Sequence, residues 1–483
     1  MSENLSIDFA AIRDGMRGLV TSPNVVANEE ITPDQVYFPE GHRGVLDLKR
    51  QLVVGNRGMG KSFWTHALLN PDVRKDRAKD VRHSVLANTN VVLGFNGSDK
   101  KDPVAPTNDE ISQALKQGYE PDLIWRAVLL RAALQVTAAG NTENFDNVIR
   151  RLIDSHASYS EVLTKADTIL SGDGKFLLIV FDALDRLAID WQGIRNLTKA
   201  LLVRAIGLQS FRSIRAKIFM RVDQFDDIEL FRFPDSSKIR NDHVSLKWES
   251  HELYGLLFFE LLRKSASSGE LKKLVEQLGA HNFLTDSGQM SASALREQEL
   301  VVTRIAGEFM GSDKKRGRVY TWVPLHLSDA ANTCSPRTFF TAWKQAADHV
   351  PQPSDNAVDH LGLKEGVRKA SENRLGELQE DYPWILPTLE ALRGELVPMP
   401  RSRLFELWAS GNVLETIKQK AKDAPRNTPV GFAGSGNGDA LLSAMKSVAV
   451  MEERANGKIN VPDIYRIKAG IKRKGGVTVP RQN

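Results

Sequence analysis

Cysteine is nearly absent from this sequence: 483 residues include one, Cys334. A lone thiol excludes an intramolecular disulfide framework and fits a reducing compartment. Long apolar runs are missing as well. No stretch approaches the ~20 residues that a membrane helix needs. The opening residues, Met1 to Asp8, lack the basic-then-apolar order of a secretory signal. The expectation is a cytoplasmic protein that is neither exported nor membrane-spanning. The ten histidines show no H-x-E, H-x-x-x-H or cysteine-paired spacing, so no protein-held metal site is expected. No G-x-S-x-G or comparable nucleophile motif occurs, and no repeat of 20 to 50 residues. Effector chemistry, if the protein serves any, therefore belongs to another polypeptide. Charge is not strongly of one sign either: with a net charge of +5, the placement of the positive groups matters more than their total. The composition, 41% hydrophobic and 26% charged, excludes wholesale disorder, and the length suggests two to three domains.

What the sequence does contain is Gly55-Asn56-Arg57-Gly58-Met59-Gly60-Lys61-Ser62, an unbroken G-x-x-x-x-G-K-[ST] directly behind the apolar Val53-Val54. The spacing serves phosphate binding: Gly55, Gly58 and Gly60 let successive backbone N–H groups curl around a β-phosphate. Lys61 reaches the β/γ oxygens, and the Ser62 hydroxyl is left for Mg²⁺. Phe63 to Leu69 reads as a helix whose N-terminal dipole faces the anion. The next motif sits on a fully buried strand, Lys175 to Phe181, which delivers Asp182-Ala183-Leu184-Asp185-Arg186 at its carboxyl end. Asp182 would hold the Mg²⁺ hydration shell opposite Ser62, and Asp185 would orient the attacking water or act as its base. Acidic residues also follow strands simply to cap the next helix. ATP and Mg²⁺ are thus the expected cofactors.

On the residues Gly55 to Ser62 and Asp182-Ala183-Leu184-Asp185, together with two arginines, Arg221 and Arg337, the chain resembles the AAA+-related signal-transduction ATPases called STAND proteins, in their NACHT-like or KAP-like branches. The small Ala183 with a second acid beyond it is closer to the NACHT pattern than to the Asp-Glu of standard AAA+ ATPases. This implies slow turnover, as suits a switch rather than a motor. The resemblance implies an ASCE core with an extra strand between the phosphate-loop strand and the Asp182 strand. It gives Arg221, at the end of the strand Ala216 to Met220, the place of sensor 1, where a plain surface charge is the alternative. It gives Arg337 the place of sensor 2. That arginine lies in the first turn of a helix capped by Ser335 and opened by Pro336, where it works against the helix dipole and asks for an anion, a γ-phosphate or a structural carboxylate.

The fold expected is α/β: a P-loop core of parallel strands with flanking helices, then a helical lid, then a helical and winged-helix C-terminal region. The boundaries read as an N-terminal arm at 1–45, the ATPase core at 46–264, the lid at 265–350, a helical domain at 351–423 after the linker Pro351 to Asn356, and a winged-helix-like module with a basic tail at 424–483. Core helices are expected at 109–117, 121–138, near 144–154, 158–170 and 190–207, with strands at 91–95 and 244–248 and a helix over 252–262 capped by Ser250. The C-terminal module is a helix at 440–446 and two strands, 448–454 and 458–461, around Ala455-Asn456-Gly457. Two stretches are basic. Lys314 to Arg318 reads as a solvated loop or a contact for nucleic acid or a partner. The tail cations Arg466, Lys468, Lys472, Arg473, Lys474 and Arg481 face no acid between 464 and 483. The resemblance implies an ATP-dependent switch that assembles with itself or with a separate effector, in a group whose bacterial members often serve in defence against phage. The alternative is a DNA-transaction ATPase, a loader or transposition regulator, that binds nucleic acid through the winged helix. A third possibility is a scaffold that binds ATP without turnover.

Overall fold

The computed structural model describes residues 6–21, 30–81, 85–137, 143–155, 157–188, 190–284, 291–423, 429 and 436–473. The chain forms two compact units, Pro23–Lys247 and Met1–Ser22 with Trp248–Asn483. These divisions differ from the boundaries expected at 45 and 264. Residues 30–46 pack with the sheet, the helix Phe9–Arg17 belongs with the C-terminal residues, and so does the helix Ser250–Arg263.

The first unit is built on five parallel strands: β1 (Leu52–Val54), β2 (Thr89–Phe95), β3 (Phe176–Phe181), β4 (Ile214–Met220) and β5 (Val244–Ser245), in the order β2-β3-β4-β1-β5. The apolar runs without alternation are what a sheet covered on both faces requires. Leu177 to Phe181 are almost wholly buried. The strand lying between β1 and β3 is β4, paired Val54 to Met220 on one side and Phe181 to Ile218 on the other. The strand at 91–95, which precedes Asp182 in sequence, occupies the outer edge beside β3. Position along the chain gave no access to that ordering, because parallel strands are joined by crossovers that can skip neighbours.

One face is covered by the helices Pro121–Thr137 and Trp191–Gly207. Trp125 holds this layer together. Its ring meets Phe95 and Phe181 edge-on, with centroids 6.3 and 5.6 Å away, and its indole N–H donates to Leu197 O at 2.8 Å. Beneath it a Cβ on Gly94 would stand 2.3 Å from the Phe181 ring, so the edge strand needs glycine there. The strand expected over 244–248 is regular only at Val244–Ser245, although Leu246 N still donates to Val54 O.

In the second unit the helix after β5 starts at Ser250 itself, and Glu249 is its cap residue. Arg13, on the N-terminal helix, donates to Ala357 O at 2.7 Å, to Gln352 Oε1 at 2.8 Å and to Pro353 O at 2.9 Å, and Arg304 donates to Asp355 O. The expected linker Pro351 to Asn356 is thus an irregular segment fastened within one unit. Its composition signals loop correctly, but a nearly buried guanidinium satisfies its carbonyls. The helices Pro336–Asp348 and His360–Asp381 approach to backbone contact at Gly362 and Gly366, where added Cβ atoms would lie 2.8 and 2.1 Å from Ala346 O and Ala342 O.

Toward the C-terminus β6 (Leu396–Val397) pairs in parallel with β9 (Lys472–Arg473), and β7 (Glu452–Glu453) pairs antiparallel with β8 (Ile459–Asn460). The expected helix is present as Gly438–Ser447 and the expected hairpin as β7–β8, with strands much shorter than 448–454 and 458–461. Three of the tail cations are drawn into ion pairs. Arg466 is fully buried with its Nε 2.5 Å from Asp463 Oδ1, Arg473 reaches the same oxygen at 3.1 Å, and Lys468 pairs with Glu372 at 2.7 Å. Their acids lie just outside the 464–483 window or far away in sequence. Lys474 and Arg481, and most of the Gly- and Pro-rich stretch before 436, lie outside the described residues.

Candidate nucleotide site

In a parallel sheet the loops leaving the carboxyl ends of adjacent strands share one edge, and here those of β1, β4 and β3 carry the charged residues. Gly55 N donates to Met220 O at 3.1 Å, so the loop that follows β1 departs alongside the residue before Arg221. Gly58 and Gly60 hold φ of 78° and 104°, values that disfavour any side chain, and so the backbone can curl. The helix Lys61–Leu69 follows at once, with Trp64 N donating to Gly60 O at 2.9 Å.

Lys61 folds its ammonium back on this loop, donating to Gly55 O at 2.8 Å and Asn56 O at 3.1 Å. Burial lowers its pKa to about 8 against the pull of the Asp182 carboxylate, which favours the charged form. Asp182 is nearly buried, and its N–H donates to Phe95 O at the end of β2. Ala183 turns the chain with φ of 56°, and the single 3-10 turn Leu184–Arg186 then carries Asp185. Ser62 is exposed on the first turn of the phosphate-loop helix.

Arg221 stands at the end of β4 and opens the short helix Val222–Asp226, where its N–H donates to Gln224 Oε1. Its guanidinium is nearly buried and lies 3.0 Å from Asp223 and 3.8 Å from Asp185. Five charged groups therefore converge, because Asp182, Asp185, Arg221 and Asp223 all act on the Lys61 ammonium. Sequence reasoning missed Asp223. The available signal was a carboxylate two residues beyond an arginine at a strand end, where a helix start brings it back over the guanidinium. Arg337 lies in the other unit, donates to Glu377 Oε1 at 2.9 Å, and so finds its compensating anion in a carboxylate.

A second group missed from sequence braces the loop from behind. The buried Trp64 indole donates to His42 Nδ1 at 3.0 Å, and His42 Nε2 donates in turn to Lys247 O at 3.1 Å. These two bonds fix the neutral Nε2–H form, and burial pushes the imidazole down to about 4. The segment read as an arm therefore positions the phosphate-loop helix.

Glycines at positive φ, a lysine facing carbonyls that phosphate oxygens would replace, and three carboxylates against two cations suit a triphosphate with a divalent metal. Among the described residues no group of three or more His, Cys, Asp or Glu is placed to hold a metal unaided.

No model of a protein family matches the sequence, and no curated protein matches it. Among solved structures, the ORC2 protein of Aeropyrum pernix, determined in ADPNP and ADP complexes, is similar at 12% identity over 89% of this chain and 87% of its own, with a TM-score of 0.28. Cdc6p from Pyrobaculum aerophilum is similar at 12% identity over 95% of both chains, with a TM-score of 0.29. Likeness at that level carries nothing about activity, which rests on the residues of the site.

Proposed function

We propose that this chain is a Mg²⁺-dependent ATPase of slow turnover whose nucleotide state works as a switch. The observation that supports it is the convergence of the phosphate loop, Lys61, Asp182, Asp185 and Arg221 at the ends of three adjacent strands. The loop N–H groups and Lys61 would bind the β- and γ-phosphates, and Ser62 with Asp182 would hold Mg²⁺. When bound, the metal neutralises charge that develops on the phosphate oxygens. Asp185 takes the proton of the attacking water as the bond between the γ-phosphorus and the bridging oxygen breaks, and Arg221 stabilises the equatorial oxygens. Lys61 and Arg221 both have partners within the chain, so nucleotide must exchange those contacts for its own. That exchange couples binding to a change of state and to assembly with a second copy or a separate effector.

Calorimetry and phosphate release test the reading. Lys61→Ala should lose ATP binding, since the triphosphate forfeits its charge-assisted donor. Asp185→Asn should keep binding and lose turnover. Unchanged ATP affinity in Lys61→Ala would refute the phosphate-loop assignment. A second reading, an ATPase that acts on nucleic acid, is favoured by an exposed basic turn at Lys314 to Arg316. The helix and hairpin of the C-terminal module favour it less: over 438–460 the acids Asp439, Glu452 and Glu453 equal the cations Lys446, Arg454 and Lys458 in number, and Lys446 is paired with Glu453 at 3.1 Å.

A further inference from the structure

The basic run Lys314-Lys315-Arg316 is held at the tip of a hairpin rather than in a slack loop. Phe309 bridges Arg318 antiparallel, Met310 N donates to Gly317 O at 2.9 Å, and Val319 N donates to Glu308 O at 2.9 Å. The base is anchored: Val319 is buried, and Tyr254 stacks on Tyr320 with centroids 4.7 Å apart while its hydroxyl donates to Tyr320 O. The tip is a single 3-10 turn, Lys314–Arg316. Asp313 closes it by accepting from Lys315 N, and Gly317 ends it at φ of 90°.

The three tip cations are exposed and have no acidic partner among the described residues, whereas Arg318 at the base is matched by Glu299 and Glu308. Lys364, on the neighbouring helix His360–Asp381, lies within the field of Arg316 and Arg368, and burial together with these like charges lowers its pKa despite Asp359. Folding has therefore brought a fourth cation within the field of Arg316. The acids nearby already have work to do: Asp313 closes the turn through Lys315 N, Asp359 caps its helix through Leu361 N and Gly362 N, and Glu365 pairs with Arg368.

We propose that this hairpin tip, Lys314, Lys315 and Arg316 with Lys364 beside it, is a contact for the phosphate backbone of nucleic acid. Phosphate contact asks for exposed cations at fixed spacing and carries no demand for an apolar anchor. A protein partner would be expected to need an aromatic or aliphatic anchor sunk in a pocket, and no residue of the tip from Gly311 to Arg316 is of that kind. The stiff turn presents the charges already ordered, so little side-chain freedom is lost beyond that of the long stems. The proposal deepens the nucleic-acid reading alone and is independent of turnover at the nucleotide site.

The test is fluorescence anisotropy of a labelled duplex with the full chain across a salt series, with ATP binding measured on the same preparations. Binding should weaken with salt by about 0.9 log units per log unit for each phosphate contacted. The variant Lys314→Glu/Lys315→Glu/Arg316→Glu should abolish it, and the corresponding triple alanine variant should flatten the salt slope by about 2.7. Both should retain ATP affinity and thermal midpoint, because the three substituted side chains are exposed. A control in the C-terminal module, Lys446→Glu/Lys458→Glu, should bind duplex as the parent does. The proposal is overturned if the parent does not bind duplex at low salt, if the tip variants bind as well as the parent, or if only the control loses binding. Preferential capture of poly-glutamate over duplex, lost in the same tip variants, would also overturn it by assigning the tip to an acidic protein.

Discussion

Asp223 and His42 show how much of the site depends on residues that touch no phosphate. Asp223 holds the Arg221 guanidinium at 3.0 Å while Asp185 stands farther off at 3.8 Å, so Asp223 fixes where the arginine points and leaves Asp185 the looser partner. Asp223→Asn should preserve ATP binding and slow phosphate release on the order of tenfold, because a small misplacement of a charge-stabilising group costs rate more than affinity. Equal ATP affinity and equal turnover in parent and variant would remove this positioning role. His42 makes a prediction about acid. Its folded pKa is about 4 and its ordinary value is 6.5, so between these pH values the unfolded chain binds the extra proton and stability falls as pH falls. The loss should reach roughly 3 kcal/mol by pH 4. His42→Phe should flatten that part of the stability curve in urea titrations at several pH values, although the variant also leaves the Trp64 N–H and Lys247 O without their partner.

At the scale of elements, two helices and one hairpin carry the consequences. The helices Pro336–Asp348 and His360–Asp381 meet through Gly362 and Gly366, and at Gly366 a Cβ would fall 2.1 Å from a backbone oxygen that cannot move without its helix. Gly366→Val should therefore destabilise the second unit by several kcal/mol, in the range of severe overpacking. Gly376→Ala, on the same helix with open space around its Cβ, should be neutral or slightly stabilising. A denaturant midpoint unchanged in Gly366→Val would show that the helices are not packed this closely. The helix starts were legible: Ser335 accepts from Thr338 N as a cap and Pro336 opens the helix, because caps and first-turn prolines act through neighbours in sequence. The cap at Glu249 was misread as Ser250, since two polar residues in succession both suit the position. The strands β7 and β8 fall within the expected ranges but are shorter, because the turn signal at Ala455-Asn456-Gly457 locates a hairpin without saying how many residues make ladder bonds.

For the whole molecule the division into Pro23–Lys247 and the remainder sets what can be measured separately. The first unit contains a fully buried lysine, Lys217 on β4, which donates to Asp47 O at 3.0 Å and Arg50 O at 2.7 Å. Burial lowers it to about 7 from 10.5, so between pH 7 and 10.5 the unfolded chain binds more protons and stability rises with pH. Lys217→Met should remove that slope in thermal melts from pH 7 to 10, and a slope that persists would place its origin elsewhere. The sequence by itself determined the phosphate loop, the strand that carries Asp182, the α/β class and most core helices, because each is encoded by contiguous residues whose spacing is read by the local backbone. Only tertiary structure decided that β4 lies between β1 and β3, that Asp223 joins Arg221, that His42 braces Trp64, that Arg13 fastens the segment after Pro351, and that Arg466, Lys468 and Arg473 are paired with acids while Lys314 to Arg316 are not. Those outcomes depend on which distant acids and carbonyls folding brings within a few ångströms, and electrostatic partners are chosen by distance in space.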